Sequence, residues 1–258
     1  MTPTSASTAA GSEPALHAWL RRAARHPAAA DRLLLRGSLL LRAWCPGRAR
    51  PAADVDYLVL GAFDADATAQ LAHAIAALPD DSPPFVIERT ELTWAETAFP
   101  GVRAHVRVGG AEQHADGFHV DFAYGDPLSL PPRPVRIDGV GEVLACAAET
   151  LFAWKLHGLV EFGAGRWRAK DLYDLDLMWH SLALDRAALG PAVDLAFASR
   201  SLPLAALGDF RTRATWGTSR GGVRKWRALA QRVPQLDDFV ATRARVRAAV
   251  DAILAPMA

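Results

Sequence analysis

The sequence predicts a mixed α/β (α+β) chain, a sheet-bearing first half followed by a helical one. Three observations carry this expectation. Strand-like runs separated by helical segments occupy the chain up to Tyr124, a Pro-rich stretch "PLSLPPRPVRIDG" from Pro127 to Gly139 interrupts them, and beyond it almost every apolar pattern has the helical period. The expected division is a floppy tail over 1–12, a mixed-sheet domain over 13–138 and a helical domain over 139–258.

Residues 13 to 28 read as helix. Leu33 to Leu35 form a short apolar run ending at Gly37-Ser38, and Leu39 to Trp44 resume at helical spacing until Pro46-Gly47, so Ser38 falls at a helix start. Val55 to Leu60 reads as a buried strand and Asp64 to Leu78 as an Ala-rich helix stopped by Pro79. Three strands follow, Phe85 to Trp94, Val102 to Val108 and Phe118 to Tyr124. Beyond the connector, helices are expected over Glu142 to Glu161, Lys170 to Ser181 and Arg186 to Arg200, then from Gly222 and from Leu236.

Composition narrows the class. The 258 residues are 51% hydrophobic and 22% charged, a globular balance. The opening MTPTSASTAAGS has neither the cationic start nor the apolar stretch of a secretory signal, and no run approaches the roughly 18 apolar residues of a membrane span. Cys45 and Cys146 lie far apart and outside any C-x-x-C, which argues against a disulfide framework and fits a cytoplasmic protein. Residues 201 to 258 hold ten Arg or Lys against four Asp, a basic segment that reads either as solvated helix faces or as a nucleic-acid contact.

The chemistry concentrates in aspartates. Asp54 and Asp56 flank one residue at the mouth of the Val55 strand, so both project to one side, about 7 Å apart along the backbone. The strand behind them is apolar on both faces, as a central strand is. Paired anions at such a place repel one another, and a hard divalent cation neutralises them; magnesium, held by carboxylates and substrate phosphates, is the expected ion. Asp121, in "FHVDFAY", is a mid-strand carboxylate on the face opposite Phe118, Val120, Phe122 and Tyr124. If its strand lies beside Asp54 and Asp56, the three could hold two metal ions for phosphoryl or nucleotidyl transfer. His119 reads as a flanking residue, because magnesium prefers oxygen. Gly37 and Ser38 offer a phosphate a close backbone approach, a helix start and a hydroxyl. The same D-x-D spacing at Asp64 and Asp66 precedes a helix instead of a strand and reads as an N-cap.

In "ETLFAWKLHGLVEF", Lys155 points the way its helix's core residues do and therefore requires an anion, either a side chain or a ligand phosphate. "RWRAKDLYDLDLMW" supplies Asp171, Asp174 and Asp176 at the opening of a helix, and Lys155 is expected to meet Asp171 across two packed helices facing the carboxylates. Trp94, Trp154, Trp167 and Trp226 read as core or rim residues.

The order Gly-Ser, D-x-D, a later single Asp, then "AWKLHGL" and "RAKDLYDL" resembles the AbiEii/AbiGii group of nucleotidyltransferase toxins, within the polymerase-beta-like nucleotidyltransferase superfamily, over about residues 30 to 180. The resemblance implies a nucleotidyltransferase core with a helical C-terminal domain. It implies that Asp54, Asp56 and Asp121 bind magnesium and the triphosphate of an NTP substrate, and that Gly37 and Ser38 hold a phosphate. Lys155, which would also contact the nucleotide, and Asp171 would align nucleotide and acceptor. It further implies an RNA (tRNA) or protein acceptor and a cognate antitoxin. Where relatives tend to carry Arg and Ser or Thr just before D-x-D, this chain has "RPAADVD", with Arg50 four residues before Asp54. Two rival readings are transfer to a small hydroxylated compound such as an antibiotic, and a non-catalytic RNA-binding scaffold.

Overall fold

The computed structural model describes residues 13–109 and 117–255; the expected tail over 1–12 lies outside the described residues. The described residues form two compact units, one within 13–43, 51–109, 117–125 and 133–145, the other within 44–50, 126–132 and 146–255.

In the first unit, α1 (Glu13–Arg25) and α2 (Pro27–Ala30) lead into β1 (Leu33–Arg36), α3 (Gly37–Trp44), β2 (Asp54–Val59) and α4 (Ala65–Ala77). Then come β3 (Phe85–Thr93), β4 (Gly101–Val108), β5 (Gly117–Ala123), β6 (Arg133–Ile137) and β7 (Gly141–Ala145). The seven described strands make one mixed sheet in the order β3-β4-β5-β2-β1-β7-β6. Strand β2 is central, as its two apolar faces predict, antiparallel to β1 and parallel to β5. Residues Phe118, Val120, Phe122 and Tyr124 alternate inward, and Trp19 of α1 packs 6.0 Å from both Phe85 and Phe118. Asp64 does cap α4, accepting a hydrogen bond from the Ala67 N–H at 2.9 Å.

Two expectations shift here. The Pro-rich connector is not a boundary along its whole length, because 133–137 form edge strand β6, where Pro134 is tolerated since an edge can do without its N–H. Nor does a helix begin at Glu142. Gly141 has φ +111°, which no helix accommodates, and residues 141–145 form β7, antiparallel to β6 and parallel to β1 through Leu35 and Ala145. Residues 133–145 thus belong with the sheet, while 44–50 and 126–132 group with the helices that follow Ala145. A short apolar run such as Val143 to Ala145 fits either period, and its partner strand decides between them.

The second unit contains α5 (Ala148–Val160), α6 (Gly163–Arg166), α7 (Ala169–Ser181), α8 (Arg186–Ser199), α9 (Leu207–Thr212), α10 (Arg220–Ala230) and α11 (Phe239–Leu254). Trp167 is buried within ring-packing distance of Trp216, Trp226 and Phe239. Trp94, in the first unit, departs from the core-or-rim expectation and stands exposed just past the end of β3. No helix among the described residues is long and apolar enough to cross a membrane.

Helices α5 and α8 pack with the buried His157 ring edge-on to Phe197 at 5.3 Å. Burial, reinforced by the Arg200 charge and opposed by Asp126, pushes the His157 pKa down from 6.5 to about 4. The folded state thus resists a proton that the unfolded chain accepts. The stability that neutral His157 contributes is complete above about pH 6.5 and is lost as pH falls toward about 4, by at most about 3 kcal/mol. Chemical denaturation across this window is expected to show that decline, and His157→Gln is expected to flatten it.

Candidate active site

The pairing of β2 with β5 puts Asp54 beside His119 and Asp56 beside Asp121. Cross-strand neighbours share a face, so the adjacency on which the metal reading depended is present. The row extends further in both directions. Arg36 of β1 pairs with Asp56, Arg103 of β4 with Asp121, and Glu91 of β3 with Arg103. Five charged residues thus cross the sheet in the order plus, minus, minus, plus, minus. The one like-charge neighbour pair in this row is Asp56 and Asp121, an arrangement that needs cations close by.

Arg103 was not anticipated from the sequence. Its Nε and Nη2 donate to Asp121 Oδ1 and Oδ2 at 2.6 and 2.7 Å, and that bidentate bond raises the Arg103 pKa. The strand pattern R-A-H-V-R on β4 is the signal that could have exposed it, since Arg103 and His105 share the face of Asp121. His105 and His119 are also cross-strand neighbours, with ring centroids 4.4 Å apart. Burial, His105 and Arg103 together lower the His119 pKa against the pull of Asp121 and Asp54. Among the described residues, no three His, Cys, Asp or Glu side chains gather as a metal cage. Asp54, Asp56 and Asp121 share one face of the sheet, with Asp121 engaged by Arg103.

The Gly-Ser pair stands against Asp56. At Gly37, φ is +80°, and a Cβ there would lie 2.0 Å from Asp56 Oδ2, so only glycine allows the start of α3 to meet the carboxylate. Ser38 is 2% exposed, and its Oγ has no hydrogen-bond partner. An unsatisfied buried hydroxyl costs free energy. A hydroxyl awaiting an acceptor, a side-chain-free backbone position and paired carboxylates together suit a metal–phosphate group.

In the second unit Lys155 and Asp171 do meet, at 3.5 Å between α5 and α7, but the tighter partner is Asp174 one turn on, at 2.7 Å. Asp174 is fully buried and also takes Arg50 Nε and Nη2, each at 3.1 Å. Burial opposes its charge, yet Lys155 and Arg50 hold its carboxyl below the usual carboxylate range. The Lys155–Asp174 bond and the role of Arg50 were missed because Asp171 and Asp174 lie three residues apart on one helix face, and only packing selects between them. Arg50, 124 residues from Asp174, gave no sequence signal at all.

A mixed sheet with a central D-x-D strand, a parallel Asp strand beside it and a Gly-Ser helix start directly after β1 is the arrangement that the resemblance to nucleotidyltransferases implies. The chain belongs to the AbiEii family, described as nucleotidyl transferase AbiEii toxin of type IV toxin–antitoxin systems, which matches residues 19–255. Among solved structures, JHP933 from Helicobacter pylori is similar with a TM-score of 0.50 and 14% identity, over 95% of this chain and 94% of that one. A second H. pylori protein, provisionally described as a nucleotidyltransferase, aligns with a TM-score of 0.49 and 16% identity, over 96% and 97% of the two chains. No curated protein matches the chain.

Two outcomes follow from this geometry. Gly37→Ala is expected to cost at least about 1–2 kcal/mol in chemical denaturation from its left-handed backbone alone, before the collision with Asp56 is counted. Asp174→Ala leaves Lys155 and Arg50 without their buried anion and is expected to cost about 3–5 kcal/mol, clearly more than Asp171→Ala, in the same assay.

Proposed function

We propose that the protein moves a nucleoside monophosphate from an NTP to an RNA acceptor, using divalent magnesium held at Asp54, Asp56 and Asp121. The observation that carries this reading is the placement of Asp56 and Asp121 at paired register positions of adjacent parallel strands, two carboxylates on one face of the sheet, with Gly37 against Asp56 and the buried Ser38 hydroxyl without a hydrogen-bond partner. Magnesium would supply charge neutralisation of the triphosphate and polarisation at the reacting phosphorus. Ser38 Oγ would donate to a phosphate oxygen, and Gly37 would let backbone approach it. Arg103 must release Asp121 before that carboxylate can serve a metal, and its freed guanidinium then suits the triphosphate. In the transfer, the acceptor hydroxyl oxygen bonds the α-phosphorus and gives up its proton to solvent while the bond from that phosphorus to the departing pyrophosphate breaks. The resemblance assigns Lys155 and Asp171 to aligning nucleotide and acceptor. With Lys155 held by Asp174 and Asp171, such a role is positional, fixing α5 against α7. A cognate antitoxin that restrains this activity and a cytoplasmic setting complete the proposal.

Incubation with total RNA and each labelled triphosphate is expected to transfer label from one of them in the presence of magnesium, and Asp56→Ala is expected to abolish transfer. Transfer that survives the substitution removes Asp56 from the site. Independently, the matching triphosphate with magnesium, at about a hundred times its Kd, is expected to add about 2.7 kcal/mol to the wild-type unfolding free energy and nothing to that of Asp56→Ala.

A further inference from the structure

Helix α10 divides its residues sharply between two faces. Gly222 and Trp226 are buried, with Leu229 half-buried and Val233 just past the helix end buried, at intervals of four, three and four. That stripe anchors the helix, Trp226 packing on Trp167 and Phe239. On the opposite side Arg220, Arg224, Arg227 and Gln231 recur at the same intervals, all exposed. The helix carries no Asp or Glu. None of Arg220, Arg224 and Arg227 forms an ion pair or hydrogen bond with a described residue. Local carboxylates are already engaged: Asp237 with Arg245 at 3.0 Å, Asp209 with Arg213 at 3.6 Å, and Asp238 as the cap of α11. Lys225, off the stripe, donates to the Trp167 carbonyl.

We propose that this arginine face of α10 is a docking surface for an RNA strand, gripping successive backbone phosphates. A rise of about 1.5 Å per residue sets Arg220 and Arg224 about 6 Å apart along the axis and carries the stripe on to Arg227, about 10 Å from its start. Such a ladder of guanidinium forks suits a chain of phosphates. A protein partner or a membrane would need an apolar anchor, and none of the exposed large hydrophobic residues lies on α10. At the N-terminal end of the stripe opens a cavity of about 430 Å³ lined in part by Arg213, Thr215, Thr218 and Ser219. Thr215 Oγ1 and Ser219 Oγ each accept a hydrogen bond, from Arg213 Nε and the Gly222 N–H, which leaves both hydroxyl protons free to donate to phosphate or ribose 2′-oxygen. The choice of RNA over DNA rests on the acceptor reading above. The electrostatic grip does not depend on the carboxylate chemistry.

The test is fluorescence anisotropy of a labelled single-stranded RNA oligonucleotide of mixed sequence, titrated with wild type and the triple variant Arg220→Gln, Arg224→Gln, Arg227→Gln. All three positions are exposed, so an unchanged melting curve is expected to confirm folding. Removing three phosphate contacts at about 0.7 each is expected to make the slope of log affinity against log salt shallower by about 2. Wild type then loses about fifteenfold more affinity than the variant between about 50 and about 200 mM salt. A control of equal net charge, Arg89→Gln, Arg133→Gln, Arg136→Gln, is expected to keep the wild-type slope. An unchanged slope in the α10 variant, or an equal change in the control, overturns the proposal. Polyglutamate or single-stranded DNA of the same sequence competing as well as RNA overturns the choice of occupant. Asp56→Ala is expected to bind RNA normally while losing transfer, so failure of the surface and failure of the active site are read separately.

Discussion

Two carboxylates, Asp56 and Asp121, sit abreast on adjacent parallel strands in the middle of a sheet, and the surrounding residues are disposed around that repulsion. Sheets tolerate opposite charges across a strand pair and penalise like ones. Here Arg36 and Arg103 flank the pair at the next positions outward, so each of the two carboxylates has a cationic residue as its other cross-strand neighbour. Beside them stand a glycine that admits no side chain and a buried serine hydroxyl without a hydrogen-bond partner, and the cation and phosphate site proposed above is built from these groups.

Arg103 gives the site a resting state. Its two hydrogen bonds to Asp121 satisfy a carboxylate that would otherwise be half of a repelling pair, and they do so with a group that can move. Under the proposed function, a metal ion would compete with Arg103 for the same oxygens, and metal binding would then be linked to the anionic ligand that could receive the displaced guanidinium.

The second unit solves a different electrostatic problem with the same residue types. Asp174 is fully buried between Lys155 and Arg50, a closed arrangement in which every charge is answered within the chain. Such networks contribute position more than stability, because desolvation offsets much of the attraction. The Trp167 cluster and the bidentate Arg245–Asp176 bond hold the same helical unit together. Helix α10, by contrast, leaves three exposed arginines without a partner among the described residues, and the proposed RNA contact rests on that difference from the satisfied interior charges.

The local pattern determined much of this protein. Period-two alternation marked Phe118 to Tyr124, a double-faced apolar run marked β2 as central, Asp64 marked the start of α4, and Gly-Ser after a short apolar run marked the start of α3, because each signal is written within a few neighbouring residues. What the tertiary structure alone decided were the partners. The assignment of 141–145 to a strand came from pairing with β1 and β6; the capture of Asp121 by Arg103 came from strand register; the preference of Lys155 for Asp174, and the arrival of Arg50 there, came from helix packing. Each of these depends on residues far apart in the chain, and a sequence records which groups need a partner without recording which one folding will bring.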